Sequence, residues 1–225
     1  ILRLFFLVIP LLKPPAQLIV GLRVRGFRWI VFSGVEGVRE VFIPLQATIR
    51  LIMEAFKPVH RSSHLIAANW KVYAENYQEG YHIPLVHPGL NKQIDARRYR
   101  VDVREGYCVH SAPARDGSAT SGVWLWRFPG LAVNLYPNGM CIETYAPEGP
   151  EATRIDYLFF FADDTPEEEV AAAITSSNTI LDEDRTICEA VQRNYASGLY
   201  SGGLLSPAHE NGVAYVQELV RDALG

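Results

Sequence analysis

The stretch "NWKVYAENYQEGYHIPLVHPGL", residues 69–90, sets His82 and His87 five residues apart, with Glu79 three residues ahead of the first. Asn69 suits a helix N-cap, and Trp70, Tyr73 and Tyr77 recur on one face, so the spacing predicts a helix over 69–82. On that helix Glu79 and His82 share a face. Pro84 should stop it, because proline lacks the N–H and its ring clashes with the preceding turn. His87 can then swing back toward His82. Two neutral imidazoles converging on one point suit a borderline metal such as iron or zinc. The same turn is also compatible with two solvated or core histidines. It is not the HExxH pattern, in which both histidines lie on one helical face.

Downstream, from 94 to 162, the sequence reads as a β-meander. "RYRVDV", "YCVHSA", "VWLWRF", "LAVNLY", "MCIETYA" and "TRIDYLFFFA" are separated by turn signals such as "REG", "PNG" and "PEGP". In the last of these Ile155, Tyr157, Phe159 and Phe161 alternate with their neighbours. Helices follow. Thr165, Pro166 and Glu168 make a capping-box arrangement, a second helical stretch spans about 178–195, and "SPAHENGVAYVQELVRDAL" closes the chain. Upstream, "LIVGLRV" and "FRWIVFS" read as strands, and Leu45, Ile49, Ile52 and Phe56 recur at helical spacing up to Pro58. An antiparallel sheet with helices gathered before and after it is an α+β fold.

Composition sets the limits. With 225 residues, 48% hydrophobic and 20% charged, the chain is long enough for one good-sized core. A net charge of −4 gives no reason to expect a nucleic-acid partner. Cys108, Cys141 and Cys188 are too few and too scattered for a disulfide framework, which fits a reducing compartment, and the cytoplasm is the expected location. The opening "ILRLFFLVIPLLKPP" is apolar but shorter than the roughly 20 residues a membrane span needs, so no membrane association is expected. We expect that end to be a fragment boundary whose apolar face packs on something upstream.

A metal needs a further ligand. In "LDEDRTICEAVQRNY", residues 181–195, Leu181, Cys188, Val191 and Tyr195 form an apolar stripe, and Asp184 falls on it. Asp182 and Glu183 fall beside Arg185, Arg193 and Asn194, toward water. A carboxylate on a core-facing stripe is costly unless paired or bound to metal; an acid near a helix N-terminus is the plainer alternative. His82, His87 and Asp184 together would make a facial triad of two histidines and one carboxylate, the arrangement of mononuclear non-haem Fe(II) oxygen chemistry.

On these residues the sequence resembles the alpha subunits of Rieske-type non-haem iron ring-hydroxylating oxygenases, in their catalytic domain. The run 69–90 is similar to the family's histidine motif. "WRFPGLAVNLYPNG" resembles a strand pair, "EDRTICEAVQ" the segment of the third ligand, and "YSGGLLSPAHENGVAYVQELV" the closing helix; the likeness covers roughly 60–224. It implies a helix-grip fold, a curved antiparallel sheet wrapped on a long helix. It makes His82, His87 and Asp184 the ligands of a mononuclear Fe(II). It makes Glu79 the acid that links the iron to a Rieske 2Fe–2S cluster on a neighbouring subunit, and Asn76 an asparagine close to the iron. Glu75 is a rival to Glu79. Trp124, Leu131, Asn134 and Tyr136 are candidate pocket residues, though half of any strand must face the other way.

The resemblance further implies a homotrimer, a ferredoxin or flavin reductase, and a small organic substrate taken with O2. A Rieske centre needs the pair CxH…CxxH, which this sequence does not hold. Residues 1–40 are therefore expected to be a remnant or junction of the N-terminal Rieske domain without its cluster ligands, and 41–225 the catalytic domain. Two other readings keep the same residues: a metal-free helix-grip module that binds a hydrophobic ligand, and a zinc hydrolase with Glu79 as base.

Overall fold

Strong period-2 patterning from 94 to 162 becomes a continuous antiparallel meander in the computed structural model. The structure describes residues 56–225 apart from 117, 119, 120 and 137, together with the backbone of three short strands, β1 (Phe5–Phe6), β2 (Ile19–Val24) and β3 (Phe27–Phe32). Those three form a small antiparallel sheet. The helix expected over 45–56 and most of the apolar opening stretch lie outside the described residues.

The main sheet has seven strands in the order β4-β10-β9-β8-β7-β6-β5. The meander supplies β5 (Arg100–Arg104), β6 (Tyr107–Ala112), β7 (Gly122–Arg127), β8 (Leu131–Tyr136), β9 (Gly139–Gly149) and β10 (Ala152–Phe161). The remaining strand, β4 (Lys57–Ile66), pairs with β10 at the far edge, Ile66 opposite Thr153 and Lys57 opposite Phe161. Its "KPVHRSSHLI" carries Pro58 and several polar residues, which edge strands use to avoid further pairing. That polarity is why the sequence reads there as a helix stop and not as a strand.

Helices cover one face of the sheet. Asn69 caps α1 (Trp70–Tyr77) by accepting from the Lys71 N–H at 3.1 Å. The stretches expected at 165 and at 178–195 are one helix, α4 (Glu167–Ala196), of 30 residues. No side-chain cap forms at its start: Thr165 Oγ1 has no partner, and the backbone of Pro166 takes the N-cap place. Glu167, Glu168 and Glu169 complement the helix dipole instead. The closing helix α5 spans Asn211–Leu224 and begins later than "SPAHE" suggests, because Glu210 Oε2 ties back to the Ser206 N–H at 2.6 Å.

The core lies between sheet and helices. Ile155, Tyr157, Phe159 and Phe161 of β10 meet Trp126, Leu181, Cys188, Val72, Tyr73 and Val216, all buried. The inner side of α4 runs through Val170, Ala173, Ile174, Leu181, Asp184 and Cys188. It does not continue through Val191 and Tyr195, which are exposed. Further along, the contacts are made by Glu189 and Gln192, whose Oε1 atoms accept the N–H groups of Ala67 (3.1 Å) and Asn69 (2.9 Å) at the entrance to α1. A curved sheet holding a long helix is the helix-grip form of an α+β fold. No helix among the described residues is long and apolar enough to cross a membrane.

Candidate metal centre

The helix expected over 69–82 ends at Tyr77, so Glu79 and His82 do not share a helical face. Instead the chain turns at 78–82 and starts a new short helix, α2 (Ile83–Val86), then α3 (Pro88–Gln93). Pro84 and Pro88 sit in the first turns of these helices, where a missing N–H costs nothing. Pro84 thus opens a helix where the sequence reading has it closing one. His82 is the N-cap of α2, and His87 is both its C-cap and the N-cap of α3. Bracketing one helical turn brings their Nε2 atoms to 3.1 Å of each other.

Asp184 reaches the same point from the inner side of α4. Its Oδ1 lies 3.1 Å from His87 Nε2 and 3.8 Å from His82 Nε2. One donor atom from each of the three residues falls within 4.8 Å of the others. Asn76, on the last turn of α1, donates from Nδ2 to Asp184 Oδ1 at 2.7 Å.

Both imidazoles are oriented from behind. His82 Nδ1 faces Glu79 Oε1, and Glu79 Oε2 accepts the N–H groups of Tyr81 (2.7 Å) and His82 (3.2 Å). His87 Nδ1 faces Glu183 Oε2 at 2.7 Å. A carboxylate opposite each Nδ1 fixes the Nδ1–H tautomer and leaves the Nε2 lone pairs directed at each other. Two such lone pairs beside an aspartate oxygen repel unless a cation lies between them. Nitrogens about 2.1 Å from one ion at a right angle would be about 3.0 Å apart, close to the observed 3.1 Å. The donor set therefore fits a metal. Burial lowers the His87 pKa, but the hydrogen bonds and charges of Asp184 and Glu183 outweigh it and leave the pKa raised, so the carboxylates around this imidazole favour positive charge there, carried by a proton or by a metal ion.

Glu183 does not point to water as the sequence reading has it; it is the carboxylate behind His87. Asp182 does lie outside, paired with Arg185 at 3.1 Å. Glu79 is only 7% exposed and is therefore not a plain surface acid. Glu75 is not at the centre: its Oε1 accepts from Gln217 Nε2 at 3.1 Å, toward α5. The sequence's one CxH tripeptide, Cys108-Val109-His110, is part of β6 with no CxxH to complete it, and His110 Nδ1 is bonded to the Tyr99 hydroxyl at 2.9 Å.

A cavity of about 400 Å³ opens beside the three residues, within the usual range for small-molecule sites. Trp124, Asn134 and Tyr136 line it; Leu131, at the start of β8, does not. Glu143 of β9, which sequence reading passed over, lines it too.

A family model described as "Ring hydroxylating alpha subunit (catalytic domain)" matches residues 53–111 and 110–225. The chain is 30% identical over 175 residues to the carnitine monooxygenase oxygenase subunit of Acinetobacter baumannii, covering 68% of this chain and 47% of that protein. It is 27% identical over 154 residues to the chloroplastic choline monooxygenase of Arabidopsis thaliana, covering 64% of this chain and 36% of that protein. The chain spans less than half the length of these curated relatives. A crystal structure of the quaternary ammonium Rieske monooxygenase CntA with an inhibitor superposes with a TM-score of 0.68 at 26% identity, over 76% of this chain and 50% of that one.

Proposed function

The chain belongs to the ring-hydroxylating alpha-subunit family, by its catalytic domain, and on that premise we propose that it is the oxygen-reacting part of a Rieske-type terminal oxygenase of the monooxygenase kind. His82, His87 and Asp184 are the ligands of one Fe(II) in this reading. The observation that carries it is the convergence of two Nε2 lone pairs and an Asp184 oxygen, with each Nδ1 already taken by a glutamate. Bound by His82, His87 and Asp184, Fe(II) would supply the O2 chemistry that hydroxylates a small organic substrate.

The protein's own residues do the remainder. Glu79 and Glu183 hold the imidazoles in the binding tautomer. Asn76 fixes the Asp184 carboxylate. The largely apolar cavity limits water beside the site. Glu79, bonded to His82 and to two backbone N–H groups, is also the residue we place on the path of reducing electrons from a 2Fe–2S cluster. That cluster would belong to a neighbouring subunit of a homotrimer, reduced in turn by a ferredoxin or flavin reductase. Residues 1–40 are then the junction to a Rieske domain and 41–225 the catalytic domain, within which the family match over residues 53–225 falls. A zinc hydrolase is disfavoured because Glu79, the base that reading assigns, already accepts three hydrogen bonds.

Glu79→Gln tests the reading. The variant should still bind Fe(II), since all three ligands remain. Given a reduced Rieske donor and a substrate such as choline, it should give no coupled hydroxylation. Normal coupled turnover in Glu79→Gln rejects the electron-path role, and failure of the unaltered chain to take up iron rejects the oxygenase reading.

A further inference from the structure

The cavity beside the metal centre is long, and one hydrogen bond crosses it. On the helical wall it follows α4 from Asp184 back through Ile180, Ser177 and Ala173 to Glu169, about four turns of helix or roughly 22 Å. On the sheet wall Asn134, Tyr136 and Phe161 face it. Part-way along, the hydroxyls of Tyr136 and Ser177 meet at 2.7 Å and join β8 to α4. Residues lining the cavity stand on both sides of that bond: Ile180 and Asp184 toward the metal centre, Ala172, Ala173 and Glu169 away from it. At the outer end Asn138 Nδ2 donates to Glu169 Oε2 at 3.1 Å, where the bond is exposed. Tyr136 is held from two directions. Its ring lies within 3° of parallel to that of Phe161, 5.9 Å between centroids, and Phe161 is itself buried. Its hydroxyl, kept neutral by burial, is tied to Ser177.

We propose that the Tyr136–Ser177 pair is a specificity-determining partition. It closes off an inner chamber at the metal centre and limits the length of the organic molecule that fits there. The proposal rests on this cavity being the substrate site of the oxygenase described above. Along α4 the inner chamber runs from Asp184 to Ser177, roughly 10 Å. Beyond the pair the helix presents Ala172, Ala173 and Ser176 to the cavity; these small side chains leave the outer chamber open, so the tyrosine ring, and not the helix, sets the limit. The two hydroxyls satisfy each other, so this part of the wall offers little to a ligand's polar groups and selects by size.

Isothermal titration of the 225-residue chain with straight-chain alcohols from butan-1-ol to nonan-1-ol tests this without turnover. Affinity should rise about fourfold per CH2, as burial of a methylene predicts, and stop rising before nonan-1-ol, where the alcohol meets Tyr136. In Tyr136→Ala the rise should continue to nonan-1-ol. Ser177→Ala removes one hydroxyl, suits a helix and unpins the ring; it should bind the longest alcohols at least about fourfold more tightly than the unaltered chain does, with butan-1-ol unchanged. A bond that only ties helix to sheet would shift the melting temperature in that variant and leave the cut-off where it was. A steady rise to nonan-1-ol in the unaltered chain, no measurable binding of any member, or the same cut-off in the unaltered chain and Ser177→Ala each overturns the proposal. The Ser177 comparison decides the matter even if Tyr136→Ala fails to fold. Iron uptake is scored on the same samples. A length cut-off in a chain that takes up no iron would sink the oxygenase reading and leave the partition standing, and iron uptake without a cut-off would do the reverse.

Discussion

Glu183→Ala is the sharpest perturbation of the metal centre, because Glu183 touches no metal in this account yet should control its affinity. Its Oε2 lies 2.7 Å from His87 Nδ1, and the His87 side chain is 2% exposed, so no other side chain can readily take over. Removing the carboxylate frees the imidazole to rotate and to change tautomer, and it lowers the basicity of Nε2. Loss of such a partner typically costs 10–100-fold in metal affinity, or about 1.4–2.7 kcal/mol. Glu183 is 27% exposed on its side chain, so water can replace part of the contact, and the lower half of that range, about 10–30-fold, is expected. Glu183→Gln keeps an acceptor without the charge and should lose less. Asp182→Ala, one residue away, removes a side chain that is 64% exposed and paired only with Arg185, and it should change nothing. Asp184→Ala removes a ligand and should lower iron occupancy sharply. The assay is Fe(II) titration of the purified variants without oxygen. Wild-type affinity in Glu183→Ala, or equal losses in the Asp182 and Asp184 variants, refutes the reasoning.

Two further outcomes follow from the surroundings of the site. A Cβ at Gly80 would overlap Cγ, Cδ1 and Cδ2 of the Tyr99 ring, the farthest at 2.7 Å, so Gly80→Ala should cost about 1–3 kcal/mol and lower Tm by about 2–12 °C; an unchanged melting curve would count against the packing. His110 is fully buried and its pKa is lowered to about 3 by that burial. Its unfolded pKa is near 6.5, so the unfolded chain binds the extra proton, and stability falls as pH drops below about 6.5, by about 1.4 kcal/mol per pH unit. Glu143, raised to about 7, has the opposite slope between its unfolded value near 4.5 and 7 and offsets His110 there, so the effect is read as a difference: by chemical denaturation, the stability of the wild type relative to His110→Phe should fall by about 1.4 kcal/mol per pH unit below about pH 6.5, and parallel curves would refute it.

The sheet was legible because its strands are half-buried meander strands with turn residues between them, so alternation reports the inner face directly. β4 was not, because an edge strand with Pro58 and exposed polar residues has no alternation to read. α4 was read as two pieces, since Thr165, Pro166 and Glu168 look like a start while Ser176, Ser177 and Asn178 dilute its stripe; Ser177 in fact meets the Tyr136 hydroxyl at 2.7 Å. At the site, the stripe argument picked out Asp184 correctly as a buried acid. It misjudged Glu183, because helical spacing gives the direction of a residue and not the reach of a glutamate past its own helix. Glu143 could have been found by the same logic that found Asp184: in "MCIETYA" it shares the inner parity with Cys141 and Tyr145, and a carboxylate there needs a partner.

Metal content tests the central claim most directly. The purified chain, folded by circular dichroism and offered Fe(II) without oxygen, should hold about one iron per chain, as one facial triad requires. His82→Ala should lose it while keeping its fold. A folded chain that takes up no iron, or a His82→Ala variant that retains it, would contradict the assignment of His82, His87 and Asp184 as a metal centre.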